Sequence, residues 1–163
     1  MTKSNSNQIT IKPLNLPTML KVIEASLGSL MFQTSLALVN GRKRDILNRG
    51  QLACAFYVSA ILAMFGLIDR VHSTVAGTVK AMKRAGWQPT NKLSTGVVII
   101  WGRPVSGDHD HEHIGFVLSQ TKAASNSSEL KVPVRHHITF GAKATPGYRQ
   151  IIGLYYHPKL KQV

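Results

Sequence analysis

Cysteine and acid are what this sequence has least of. Of 163 residues, one is cysteine, Cys54, and seven are Asp or Glu, set against twenty Lys or Arg. A single cysteine excludes an intramolecular disulfide framework and any structural zinc cluster built on several thiolates, leaving a thiol that is either buried or reactive. The shortage of acid gives a formal net charge of +13. Such a field favours anionic partners, whether nucleic acid, acidic membrane or phosphate-rich polymer, and bears on partners but not on fold. No secretory leader is expected, because residues 1–8 are polar and lack the basic-then-apolar pattern with a small-residue cleavage site. The expectation is a chain that is cytoplasmic as synthesised, with release to act on a cell wall left open. The longest apolar run, residues 52–68, has 17 residues and is interrupted by Ser59 and Gly66. That is at the short edge of a bilayer span, and its Ala and Cys content suits a helix buried in the middle of a fold. No membrane span is expected.

What is present is enough apolar material for one core. At 44% hydrophobic the chain stands clear of the disordered class, and its length suits one domain of the usual ~100–200 residues. We expect a single domain over residues 1–163: a flexible tail to residue 14, an N-terminal helical region over 15–50, and a core over 51–157. Leu16, Leu20, Ile23, Leu27, Leu30 and Met31 recur at helical spacing behind Pro17, and Asn40-Gly41 reads as the stop for that region. A second helix runs from about Cys54 to Phe65 and closes at Gly66. A third begins after Ser73 and closes at Gly86. Past Trp87 the period changes from helical to extended, with apolar β-branched runs at 97–101 and 114–118 and further strands at 132–140 and 150–156. Helices first and strands afterwards predict an α+β domain, with N-terminal helices packed on a mainly antiparallel sheet.

Cys54 stands at the expected N-terminus of the buried helix, where unpaired N–H groups and the helix dipole favour a thiolate. A thiol nucleophile needs an imidazole that the fold brings close. His113, opening the run His-Ile-Gly-Phe-Val, is the candidate, since a strand entrance is a rigid place from which to aim a ring. Taken alone, a cysteine at the head of an apolar helix is a small core residue.

The ordered set of Leu52-Ala53-Cys54-Ala55-Phe56-Tyr57-Val58-Ser59, then Gly96-Val97-Val98-Ile99-Ile100-Trp101, then His113-Ile114-Gly115-Phe116-Val117 resembles the papain-like bacterial cell-wall hydrolases, the NlpC-like peptidases and CHAP amidases. The resemblance covers about residues 52–140 and implies a papain-like fold in which a cysteine begins a central helix and a histidine starts a strand. It implies amide hydrolysis, in peptidoglycan or a related peptide, by Cys54 and His113 without a cofactor or metal. A third polar residue on the next strand is implied to orient His113; Asn126 is our choice, with Ser125 close behind and His136 as a further candidate. Ala53 and Ala55-Phe56 stand where NlpC-like proteins have Asp and Ser-Gly, and Val97 stands where an acid is usual, so the chain resembles a divergent or amidase-like relative. The oxyanion is expected on the Cys54 N–H and a second donor, for which Gln51 is a candidate.

Two other classes compete. Asp108-His109-Asp110-His111-Glu112-His113 places three histidines at alternate positions, enough imidazoles for a catalytic zinc with an open position. The excess charge suits a noncatalytic binder of an anionic polymer, although no recognition-helix, RNP or zinc-finger pattern indicates a dedicated nucleic-acid protein. Three of the seven acids lie immediately before His113, and there they are expected to favour its imidazolium.

Overall fold

The computed structural model describes residues 9–104 and 111–161. Its helices are α1 (Asn15–Ser26), α2 (Cys54–Met64) and α3 (Val75–Arg84). Its strands are β1 (Leu36–Val39), β2 (Arg42–Asp45), β3 (Gln88–Pro89), β4 (Val98–Pro104), β5 (His113–Val117), β6 (Lys122–Asn126), β7 (Pro133–His137) and β8 (Arg149–Tyr156). Six strands form one sheet in the order β3-β8-β4-β5-β6-β7, and each neighbouring pair is antiparallel. The α+β arrangement is therefore present, with the helices preceding the sheet along the chain.

Alternation along the central strands divides their side chains between two clusters. Val98, Ile100, Ile114, Phe116 and Ala124 meet Leu16, Met19 and Ile23 of α1, Tyr57, Val58, Ile61 and Leu62 of α2, and Met82 of α3. Val97, Ile99, Trp101, Val117 and Ala123 form the second cluster with Ile138. Each such side chain contributes about 1.5–3 kcal/mol on full burial, so a helix without a polar face is stable only at the centre. That is where α2 lies, and its buried Ser59 is fully used: the hydroxyl donates to the His72 carbonyl at 2.9 Å and accepts the His72 N–H at 2.8 Å.

The N-terminal region departs from expectation. The helical spacing runs on to Met31, but α1 ends at Ser26, where Leu27 turns extended and Gly28 takes φ +76°. Asn40-Gly41 does not stop a helix; with φ 52° and 76° it turns a separate two-stranded hairpin in which Leu36 faces Asp45 and Val39 faces Arg42. Asn-Gly is suited to such a turn because both residues tolerate positive φ. Asp45 holds the base of the hairpin by accepting the N–H groups of Ser35, Leu47 and Arg49, which lower its pKa. The third helix is capped by Thr74, one residue beyond Ser73, whose hydroxyl accepts the Gly77 N–H at 3.1 Å. No helix among the described residues is long and apolar enough to cross a membrane.

One glycine sets the spacing of the sheet beside the site. A Cβ on Gly115 in β5 would lie 2.4 Å from the Ala124 carbonyl oxygen and 3.0 Å from the Trp101 ring. Only glycine lets β6 and Trp101 close on β5 one residue past Ile114.

Candidate active site

Cys54 is the first residue of α2, and no side chain caps that helix end. The sulfur lies against the backbone N–H groups of Cys54 and Ala55 from its own helix and of Ile114 from β5. The contact with the Ile114 N–H joins the head of α2 to β5 one residue past His113, between residues 60 positions apart in sequence. The thiol is only 7% exposed. Burial raises its pKa despite those N–H groups and the nearby Arg149 guanidinium. The expected thiolate is thus corrected to a neutral thiol in the free protein, because the cost of desolvating a charge outweighs the helix N-terminus.

His113, 7% exposed, opens β5 and has its Nε2 2.9 Å from the Ser125 hydroxyl. That hydroxyl is also 2.8 Å from Nε2 of His136. The direction of this chain follows from its far end. His136 Nδ1 lies 2.7 Å from the His137 carbonyl oxygen, which can only accept, so Nδ1 carries the proton. Burial lowers the His136 pKa to about 4, so its Nε2 is an acceptor at neutral pH. Ser125 must then donate to His136, and its oxygen accepts from Nε2–H of His113. In a neutral His113 ring that assignment puts the lone pair on Nδ1, the form a general base requires.

Two aromatic rings hold this chain. Phe140 stacks on His136 with centroids 4.0 Å apart and 18° between planes, and lies 5.6 Å from His113. Trp101, whose indole N–H donates to the Ile138 carbonyl at 2.7 Å, lies 5.7 Å from His113 and 5.5 Å from His136. Phe140 has φ 60°, a left-handed conformation that costs a bulky L-residue about 1–2 kcal/mol. That conformation ends the expected 132–140 strand at His137 and returns the ring over His136.

Asn126 is not the residue that bonds His113 at Nε2; Ser125 is. Successive strand residues point to opposite faces, so a position next to Ser125 in β6 cannot take the same place. Asn126, 1% exposed, instead donates its amide to the Gly50 carbonyl at 2.7 Å and to the Ser127 carbonyl at 3.2 Å. It ties β6 to the segment that leads into α2. Its Oδ1 is buried without a hydrogen-bond partner among the described residues. Gln51 is exposed, and its side-chain oxygen accepts a hydrogen bond from the Asn48 amide.

His113, Ser125, Asn126, His136, Phe140 and Arg149 share the wall of a cavity of about 360 Å³. A larger groove of about 680 Å³, lined by Thr90, Lys92 and Tyr156 among others, contains neither Cys54 nor His113. Asp108, His109 and Asp110, on which the zinc reading and the acid cluster depend, lie outside the described residues. Among the described residues no group of three or more His, Cys, Asp or Glu is placed to hold a metal ion. The chain matches no protein-family model and no curated protein in sequence.

Three residues around the cavity and its histidines carry no mark in the sequence. Phe140 and Arg149 read as ordinary strand or loop residues. Trp101 closes an apolar strand run, and no signal in the sequence marks it as a partner of two histidines. Pairing of β4 with β5 sets Trp101 beside His113, and the chain reversal after β7 brings Phe140 over His136 and Arg149 to the start of β8.

Proposed function

We propose that the protein is a papain-like, cysteine-dependent amide hydrolase acting on peptidoglycan or a related peptide. The observation that supports this reading is a lone cysteine at a helix N-terminus whose sulfur lies against the Ile114 N–H, one residue past a histidine oriented by Ser125 and His136.

The chemistry balances as follows. As the Cys54 sulfur bonds to the carbonyl carbon, the thiol proton passes to Nδ1 of His113 and the carbonyl electron pair becomes an oxyanion. Backbone N–H groups at the start of α2 are suited to hold that oxyanion. When the carbon–nitrogen bond breaks, the imidazolium gives its proton to the departing amine, leaving a thioester. Water then loses a proton to the same nitrogen, attacks the thioester carbon and releases the acid, and the sulfur recovers its proton. Throughout, Ser125 keeps the imidazole oriented and accepts from its other N–H, which stabilises the positive ring as it forms.

A neutral resting thiol suits this scheme, because proton transfer is coupled to attack and no stable ion pair is needed. The test is digestion of purified peptidoglycan and its peptides with wild type and Cys54→Ala, with product masses measured. New amine and carboxyl termini dependent on Cys54 support the reading; products that persist in Cys54→Ala refute it.

A further inference from the structure

We propose that Arg149 anchors an anion subsite beside Cys54, so that the substrate carries a free carboxylate next to the scissile amide. The inference rests on the hydrolase reading for the word substrate, but the subsite itself is testable without turnover.

Arg149 opens β8 at the wall of the 360 Å³ cavity and is 7% exposed. A guanidinium largely withdrawn from solvent, with one edge open to the cavity, is stabilised by an anion that reaches that edge. Among the described residues no carboxylate pairs with Arg149. One nitrogen, Nη1, donates to the Gly102 and His111 carbonyls, each at 2.9 Å, and so uses two of the five N–H donors. Those bonds fix the plane of the group, and the Phe140 ring centroid lies 5.8 Å from the guanidinium carbon. The Nε and Nη2 donors have no partner among the described residues. That pair forms the edge on which an arginine grips a carboxylate with two parallel bonds.

The site is also selective in position. Arg149 lines the same cavity as His113 and is close enough for its charge to act on the Cys54 thiol, so an anion held on its free edge lies in the cavity of the proposed general base. Glu129, exposed, lines the same cavity and disfavours a second negative charge at its own end. A ligand with one carboxylate, directed at Arg149, matches this arrangement. The scarcity of acid in the sequence has a local counterpart here: a buried cation for which the described chain provides no anion.

The test compares alkylation of Cys54 by iodoacetate, an anion, with alkylation by iodoacetamide, its neutral counterpart, each normalised to a free thiol. Because a net charge of +13 attracts any anion, the comparison includes Arg149→Gln and, with the same loss of one charge, Lys83→Gln, at low and high salt. The subsite predicts a preference for iodoacetate of about tenfold, as expected for a charge-assisted bidentate contact. It is retained in Lys83→Gln and at high salt and lost in Arg149→Gln. Equal preference in the two variants overturns the proposal. Should Arg149→Gln not fold, protection of wild type decides: acetate slows iodoacetamide alkylation and acetamide does not, whereas equal effects overturn the subsite. Selective alkylation without peptidoglycan cleavage leaves the subsite standing and the hydrolase reading refuted; cleavage without selectivity does the reverse.

Discussion

Lowering the pH through 6.5 charges an ordinary histidine, but His136 resists protonation until about 4 because its ring is desolvated. The unfolded chain therefore binds a proton at this residue that the folded chain refuses. The contribution to stability is complete above the unfolded value of 6.5 and is lost as pH falls towards 4. At about 1.4 kcal/mol per pH unit, that interval corresponds to about 3 kcal/mol, and solvent on the open side of the ring reduces it to about 2 kcal/mol. The perturbation that isolates it is His136→Gln, which keeps a side-chain acceptor near Ser125 and removes the titration. Urea unfolding of wild type and variant between about pH 7 and about pH 4 gives the difference, since other groups contribute to both curves. Wild type should lose about 2 kcal/mol more than His136→Gln over this window. In the NMR spectrum the His136 ring should titrate near 4. Parallel stability curves, or a ring that titrates near the ordinary 6.5, would refute both the shift and the directed hydrogen-bond chain derived from it.

Other outcomes follow from the same geometry. Ser125→Ala removes the acceptor for His113 Nε2–H and should lower the rate constant for turnover by about 10–100-fold with little change in KM, as steady-state kinetics would show. Asn126→Ala, by contrast, should act on stability, lowering it by about 1–3 kcal/mol in urea unfolding because the buried Gly50 carbonyl loses its donor. Gly115→Ala forces a Cβ against the Ala124 carbonyl and should destabilise by about 2–4 kcal/mol, measured by thermal unfolding. A chelator should leave Cys54-dependent cleavage unchanged; its loss, restored by zinc, would favour the histidine-cluster reading.

Much of the sheet was legible because buried strands announce themselves in sequence. The runs around Val98 and Ile114 have no alternative as continuous β-branched segments, and α2 is apolar all round. The hairpin at Leu36–Asp45 was harder, because β1 is short and half exposed and β2 is Arg-Lys-Arg-Asp, so neither strand shows alternation. The Asn-Gly pair is the usable signal, but it suits a helix end as well as a hairpin turn. In the site, Cys54 and His113 could be named from element starts, which is a local property. The bond from His113 to Ser125 in place of Asn126 depends on which face of β6 turns towards β5, and a one-residue change of register exchanges them. Phe140 and Arg149 reach the cavity through turns that carry no side-chain periodicity. The neutral thiol was hidden for a different reason: a helix N-terminus is visible in sequence, but the desolvation that opposes it comes from β5 packing over α2.

The most direct test of the central claim is the mass of the protein itself during turnover. Wild type mixed with peptidoglycan peptides and quenched in acid should carry the acyl fragment as a thioester on Cys54. The adduct should be absent from Cys54→Ala and should not accumulate in His113→Ala. Cleavage products formed with no adduct on Cys54, and formed equally by Cys54→Ala, would contradict the account.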